Sequence, residues 1–258
     1  MATDHIDLDH IALAAADTAP LLRFLTGPCG ATALWGGQGI GFRPMQVFVG
    51  DATAGMKIEL LEPWAVDHND FLARFVERHT HGPHHLTFKV PDLVATIERF
   101  RASGFRPVNI DLRDPEWREC FIMPKEAHGT VVQLAESNST NYDWPDRATM
   151  LAAIRERGAE GNPRWWVDPE TPHGAPGILR DVVLRTPNLS SALGFFAGML
   201  HGSVTSETDG RVDLAWPGGA AIAIEEQAGC TPGVDRLEIE GLVEPAEILG
   251  TRFAAPGR

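Results

Sequence analysis

Residues 8–32 read LDHIALAAADTAPLLRFLTGPCGAT, and the same plan returns at 84–108 as HHLTFKVPDLVATIERFRASGFRPV and at 179–204 as LRDVVLRTPNLSSALGFFAGMLHGSV. Each copy starts as an alternating strand, reaches Asp or Asn, continues as an amphipathic helix and stops at glycine. His10 to Asp17, His85 to Asp92 and Asp181 to Asn188 are equally spaced (17 − 10 = 92 − 85 = 188 − 181 = 7). Asp17, Asp92 and Asn188 are therefore expected as helix N-caps, their side-chain oxygens accepting the free N–H groups of the first turn. Gly30, Gly104 and Gly202 are expected to end the helices.

Alternating stretches bounded by Gly and Pro follow each helix: MQVFVGD and MKIELLEP, then ECFIMP and TVVQLAE, then RVDLAWP and AAIAIEE. They read as strands and hairpins, which makes each copy a βαβββ module, at about residues 7–63, 82–136 and 178–227. GVDRLEIEGL then looks like the first strand of a fourth module left unfinished. The fold class is α+β, with residues 1–140 as a paired domain, 141–177 as a linker carrying a helix over Asp146 to Arg157, and 178–258 as a degenerate third module. Trp165 and Trp166, in the linker, are expected to pack against a domain. An unfinished fourth module leaves an open sheet edge that a second copy of the chain would cover.

A chain of 258 residues with 43% hydrophobic content buries a full core. No apolar run approaches the ~18 residues of a membrane span, and the acidic N-terminus MATDHIDLDH lacks a secretory signal. A cytoplasmic protein with no membrane partner is expected. The 22 basic and 35 acidic residues give 22 − 35 = −13, a charge that repels a phosphate backbone and excludes nucleic acid as a partner. Cys29, Cys120 and Cys230 are odd in number and far apart, so they read as reduced bystanders.

Four polar residues interrupt the strands at matched places. His10 precedes Glu59 by 59 − 10 = 49 residues, and His85 precedes Gln133 by 133 − 85 = 48. Two imidazoles, a carboxylate and an amide form a plausible site for one divalent metal ion, and Zn, Co, Ni, Mn and Fe are all compatible with such donors. His84 and His85 must point to opposite faces of their strand; the spacing to Asp92 selects His85 as the ligand and leaves His84 on the outer face or beside the substrate. The third module offers Asp181, with Arg236 near the place of His85, and is read as a cover that binds no metal.

LDHIAL, KIELLEP, GPHHLTFKV and FIMPKEAHGTVVQLAE resemble, in order and spacing, the strand motifs of the vicinal-oxygen-chelate superfamily, within it the methylmalonyl-CoA epimerase family, over about residues 7–136. The resemblance implies paired βαβββ modules forming a cupped mixed sheet around a metal cleft, with ligand positions at His10, Glu59, His85 and Gln133. It also implies a small-molecule substrate. Two positions depart from the epimerase pattern. Gln133 stands where that family carries a Glu, and Gln46 stands where it carries a proton-transferring Glu; an amide cannot take that proton.

The expected activity is therefore a metal-dependent epimerase, isomerase or lyase that stabilises an enolate beside the carbonyl of an acyl thioester or oxo acid. Glu59 is the candidate base. Glu62, Lys125 and His128 are further candidates around the substrate, all three expected on loops in water. The alternatives are an extradiol-type Fe(II) dioxygenase built on His10, His85 and Glu59, and a small-molecule-binding resistance protein without catalysis.

Overall fold

The computed structural model describes residues 5–137, 147–157, 160–161 and 175–257. In chain order the elements are β1 (Asp7–Ala15), α1 (Ala19–Thr26), β2 (Thr32–Gly36), β3 (Gly41–Gly50), β4 (Gly55–Trp64), α2 (Phe71–His79), β5 (His81–Lys89), α3 (Leu93–Ala102), β6 (Val108–Asp111), β7 (Trp117–Ile122), β8 (Val131–Ser137), α4 (Arg147–Arg157) and β9 (Glu160–Gly161). The third module supplies β10 (Ile178–Thr186), α5 (Leu189–Leu193), which continues as a π-helical stretch at Gly194–Met199, and then β11 (Ser203–Thr208), β12 (Arg211–Ala215) and β13 (Ala221–Glu226). The chain ends with β14 (Gly233–Glu240), β15 (Ala246–Ile248) and β16 (Thr251–Ala254). The strands form two mixed sheets, in the orders β6-β7-β8-β5-β1-β4-β3-β2-β9 and β11-β12-β13-β10-β14-β16-β15. The fold is α+β, as the repeat predicts.

The modules are held together by a carboxylate at a repeated place. Glu62 on β4 accepts from the backbone N–H and the hydroxyl of Thr18, at 2.7 and 2.8 Å, at the start of α1. Glu136 on β8 accepts from Leu93 N at 2.9 Å, at the start of α3, and Glu226 on β13 accepts from Leu189 N at 3.1 Å, at the start of α5. A carboxylate there satisfies an orphan N–H and sits at the positive end of the helix dipole. Arg43, directly across from Glu62, and Arg118, directly across from Glu136, complete two partly buried ion pairs. Asp92 and Asn188 cap as expected, accepting from Ala95 N and Ser191 N at 2.9 Å each. At α1 the cap position is Thr18 rather than Asp17, whose carboxylate accepts from Ala19 N instead.

Two compact units emerge, divided within β1, β5, β10 and β14. The first holds Met1–His10, His85–Asp143 and Asp181–Asp235. Its core includes Phe100, Phe105, Phe195 and Phe196, with ring centroids 5.0–6.1 Å apart in successive contacts, and Phe88 edge-on to Trp216. Gly129, at φ +84°, lets the turn before β8 lie against Pro232, because an added Cβ would stand 1.9 Å from the Pro232 carbonyl oxygen. The second unit holds Ile11–His84, Trp144–Arg180 and Arg236–Arg258. In it Ala12, Ala14, Leu61 and Leu72 pack with Phe42, Phe71 and Phe75, and Leu34 and Phe48 pack with Leu151 and Ile154 of α4.

Some features depart from the sequence expectations. Helix α2 lies outside the repeated plan, so the repeat does not predict it. The third helix does not stop at Gly202 with a left-handed glycine; His201 takes the positive φ of 58°. After β14 no helix forms, and a hairpin of β15 and β16 follows, with β16 parallel to β14. Helix α4 spans Arg147–Arg157, while Asp146, Trp165 and Trp166 lie outside the described residues. Among the described residues no helix is long and apolar enough to cross a membrane.

The repeated carboxylate carries a measurable part of the stability. Glu136→Ala is expected to cost about 1–3 kcal/mol, since it strands the α3 amide and Arg118. Glu62→Ala should cost at least as much, because two donors of Thr18 and the Arg43 guanidinium lose their acceptor. Urea unfolding of both variants against the parent checks this; unchanged midpoints would remove the carboxylate from the account.

Candidate metal centre

Alternation along β1 puts His10 on a buried face, with 2% of its surface exposed. Its Nδ1 lies 2.7 Å from an Asp9 carboxylate oxygen, and the other Asp9 oxygen is 3.3 Å from the Lys89 ammonium. A carboxylate at Nδ1 favours the tautomer with the proton there, in which Nε2 is the atom that could serve as a metal ligand. Nε2 lies 2.9 Å from the buried Thr87 hydroxyl, which is also 2.6 Å from the Gln133 amide oxygen, so its one proton serves one of these two acceptors at a time. The Gln133 amide nitrogen in turn donates to Glu119 at 2.6 Å, and the Trp117 indole N–H donates to the same Glu119 oxygen at 2.8 Å. The His85 ring stands edge-on to the His10 ring, 5.7 Å between centroids.

On the second unit's strands Gln46 and Glu59 are directly opposite. Gln46 donates its amide N–H to Glu59 at 3.3 Å and accepts from the Trp35 indole at 3.0 Å. The ligand atoms of His10, Glu59 and His85 all lie within 4.8 Å of one another, and all three residues are buried.

His84 faces Phe75 at 4.7 Å and Phe71 at 6.0 Å between ring centroids. Burial pushes its pKa down to about 4, against the pull of Glu59, and His79 adds to the lowering, so the ring is neutral at physiological pH. Lys125 is exposed on the turn between β7 and β8. His128, on the same turn, is not simply in water: its ring lies 6.2 and 6.3 Å from Phe195 and Phe196, and burial lowers its pKa, with the Ser191 backbone bond opposing. Glu62 departs further from the loop position expected of it. It is 5% exposed and bound to Thr18 and Arg43, so it serves the helix start. Asp181 lies 3.7 Å from Arg211. Cys29 and Cys120 are buried thiols pushed up to about 12 by desolvation.

The residues that sequence reading passed over are Asp9, Thr87, Glu119, Trp35 and Trp117. Thr87 had a signal, since it shares the strand face of His85 two residues away. Asp9 had a weaker one as the neighbour of His10. Glu119 and the two tryptophans had none, because their roles arise from pairing between strands.

A sequence comparison matches residues 9–121 to the family described as the Glyoxalase/Bleomycin resistance protein/Dioxygenase superfamily. No curated protein matches the chain. Among solved structures, a hypothetical protein from Staphylococcus aureus is 12% identical, with 96% of this chain and 98% of that one covered at a TM-score of 0.59, a likeness of fold. Methylmalonyl-CoA epimerase from Mycobacterium tuberculosis is 26% identical, with 55% of this chain and 95% of that one covered and a TM-score of 0.46. A Streptomyces coelicolor methylmalonyl-CoA epimerase in complex with 2-nitronate-propionyl-CoA is 23% identical, with 52% and 98% covered and a TM-score of 0.45. The sequence likeness to that superfamily spans residues 9–121 of the chain's 258.

Proposed function

We propose that this chain is a divalent-metal-dependent enzyme acting at the carbon next to a carbonyl, as an epimerase, isomerase or lyase on an acyl thioester or oxo acid. The observation that carries the reading is the buried group of His10, Glu59 and His85. Metal–ligand bonds of about 2.0–2.2 Å put neighbouring donor atoms roughly 3–4 Å apart, so the grouping within 4.8 Å needs only small side-chain rotations to fit an ion. Gln133 is the fourth proposed donor, through its amide oxygen. Borderline imidazoles with a carboxylate and an amide suit Zn, Co, Ni, Mn or Fe.

When bound, the ion supplies Lewis acidity to an oxygen of the substrate. Removal of the neighbouring proton falls to Glu59, which would leave the metal to act as the base and whose orientation is steadied by the Gln46 amide. Gln46 and Gln133 are amides and hold groups in place rather than move protons. His84, kept neutral between Phe71 and Phe75, serves as part of the wall. Lys125, solvated on its turn, is the proposed second proton carrier. A second reading has a specific observation behind it: two histidines and one carboxylate are also the donor set of non-haem Fe(II) oxygenases, which favours an extradiol-type dioxygenase as the alternative.

Elemental analysis of purified variants tests the ligands. His10→Ala and His85→Ala should each lose the metal, while His84→Ala should keep a full equivalent at some cost in stability; retention by His85→Ala would remove that residue from the set. For the chemistry, the metallated protein should exchange the α-proton of a carbonyl substrate with deuterated water. Glu59→Gln should slow that exchange by about 10²–10⁴-fold, with metal content measured in the same sample so that ligand loss is separated from loss of the base. Oxygen consumption with a catechol, in the absence of any exchange, would replace this reading by the dioxygenase one.

A further inference from the structure

The side chain of glutamine ends in two atoms of similar size and opposite character, and only the oxygen can bind a metal ion. The backbone of β8 does not decide which end faces the site. We infer that Glu119 decides it, as a positioning residue that turns the Gln133 oxygen inward. The inference rests on the metal-site reading above and deepens it.

The strand register brings the two together. Phe121 lies opposite Gln133 and Glu119 opposite Ala135, so Glu119 and Gln133 share one face of the β7–β8 pair on a diagonal. One Glu119 oxygen accepts from the Trp117 indole, at 2.8 Å, and from the Gln133 side chain, at 2.6 Å. The indole N–H can only donate, and an ionised carboxylate can only accept. The end of Gln133 that meets Glu119 must therefore be the nitrogen. The amide oxygen is then left facing Thr87, whose hydroxyl lies 2.6 Å from it and 2.9 Å from the ligating nitrogen of His10. Arg118, one residue along β7, points to the opposite face and pairs with Glu136, which fixes the pleat that aims Glu119.

The other strand pair uses the same three residue types, there with the amide directly opposite the carboxylate rather than on the diagonal. There Trp35 donates to Gln46, and Gln46 donates to Glu59. In the first module the carboxylate stands on the last strand, at the ligand position, and the amide stands on the strand before. In the second module the amide holds the ligand position and the carboxylate supports it from β7. Each module thus contributes one glutamate–glutamine pair anchored by a tryptophan N–H, but only one of the two carboxylates reaches ligand distance.

The exchange suggests its own test, cobalt(II) titration of the full chain followed by visible absorption, with circular dichroism confirming fold. Glu119→Ala should weaken cobalt binding by about 10–100-fold, the usual effect of removing a group that orients a ligand. Gln133→Glu alone sets two carboxylates against each other and should also bind more weakly than the double variant Glu119→Gln/Gln133→Glu, which restores an amide donor beside the carboxylate and should recover at least the parent affinity. A purely structural role for Glu119 predicts no recovery in the double variant. In the metal-free protein, the Gln133 side-chain amide resonances should carry the downfield shift of a carboxylate-bound N–H and lose it in Glu119→Ala. Unchanged cobalt affinity in Glu119→Ala, or amide resonances indifferent to that substitution, would overturn the inference while leaving the metal site standing. A parent chain that binds no cobalt would overturn the metal-site reading itself, and this inference with it.

Discussion

The bond between the last long strand of each module and the start of that module's helix is the constraint on which the site depends. Glu62, Glu136 and Glu226 each hold a helix N-terminus. Each is fixed on the face of the strand that looks toward the helix. Glu59 and Gln133 precede their capping glutamates by three residues (62 − 59 = 136 − 133 = 3), and an odd offset on a strand means the opposite face. Anchoring the cap therefore aims Glu59 and Gln133 away from the helix. A slip of one residue would break the cap and turn the ligand outward together, so the register is doubly specified.

The same rule explains why the third module differs. Three residues before Glu226 stands Ala223, fully buried and opposite Asp213. The cap is kept, the strand is kept, and the ligand position holds a methyl group. Asp181, at the place of His10 and His85 in the seven-residue spacing, is engaged by Arg211, which also pairs with Asp213 and Glu225. The guanidinium offsets part of the charge of the three carboxylates and ties them to the chain's own cation.

Polar groups in the first two modules are buried in linked sets. His10 is tied to Asp9 and Thr87, Gln133 to Thr87 and Glu119, Gln46 to Trp35 and Glu59. Such networks are costly when incomplete and rigid when satisfied. Rigidity matters here because a donor set works only if each atom is presented within a fraction of an ångström. The aromatic packing of His84 on Phe71 and Phe75 has a related effect. It holds one neighbour of the histidine pair on the outer face, so that strand alternation presents the other inward.

The sequence by itself determined the repeated modules and the strand places of His10, Glu59, His85 and Gln133, because these follow from local period and spacing. A helix cap seven residues after a strand histidine, and an interrupted alternation on the closing strand, are properties of short segments. It also determined that His84 and His85 point apart. Tertiary structure decided what those short segments do not contain. Glu62 reads locally as a loop residue in water, and only the approach of α1 makes it a buried cap. His128 reads as a loop residue, and only the arrival of Phe195 and Phe196 from the third module encloses it. Glu119 is one more acid on an alternating strand until β7 pairs with β8 in one register and sets it against Gln133. Spacing along the chain fixes which way a side chain points, but the partner it meets there is fixed by pairing between distant strands, and that information lies in no single segment.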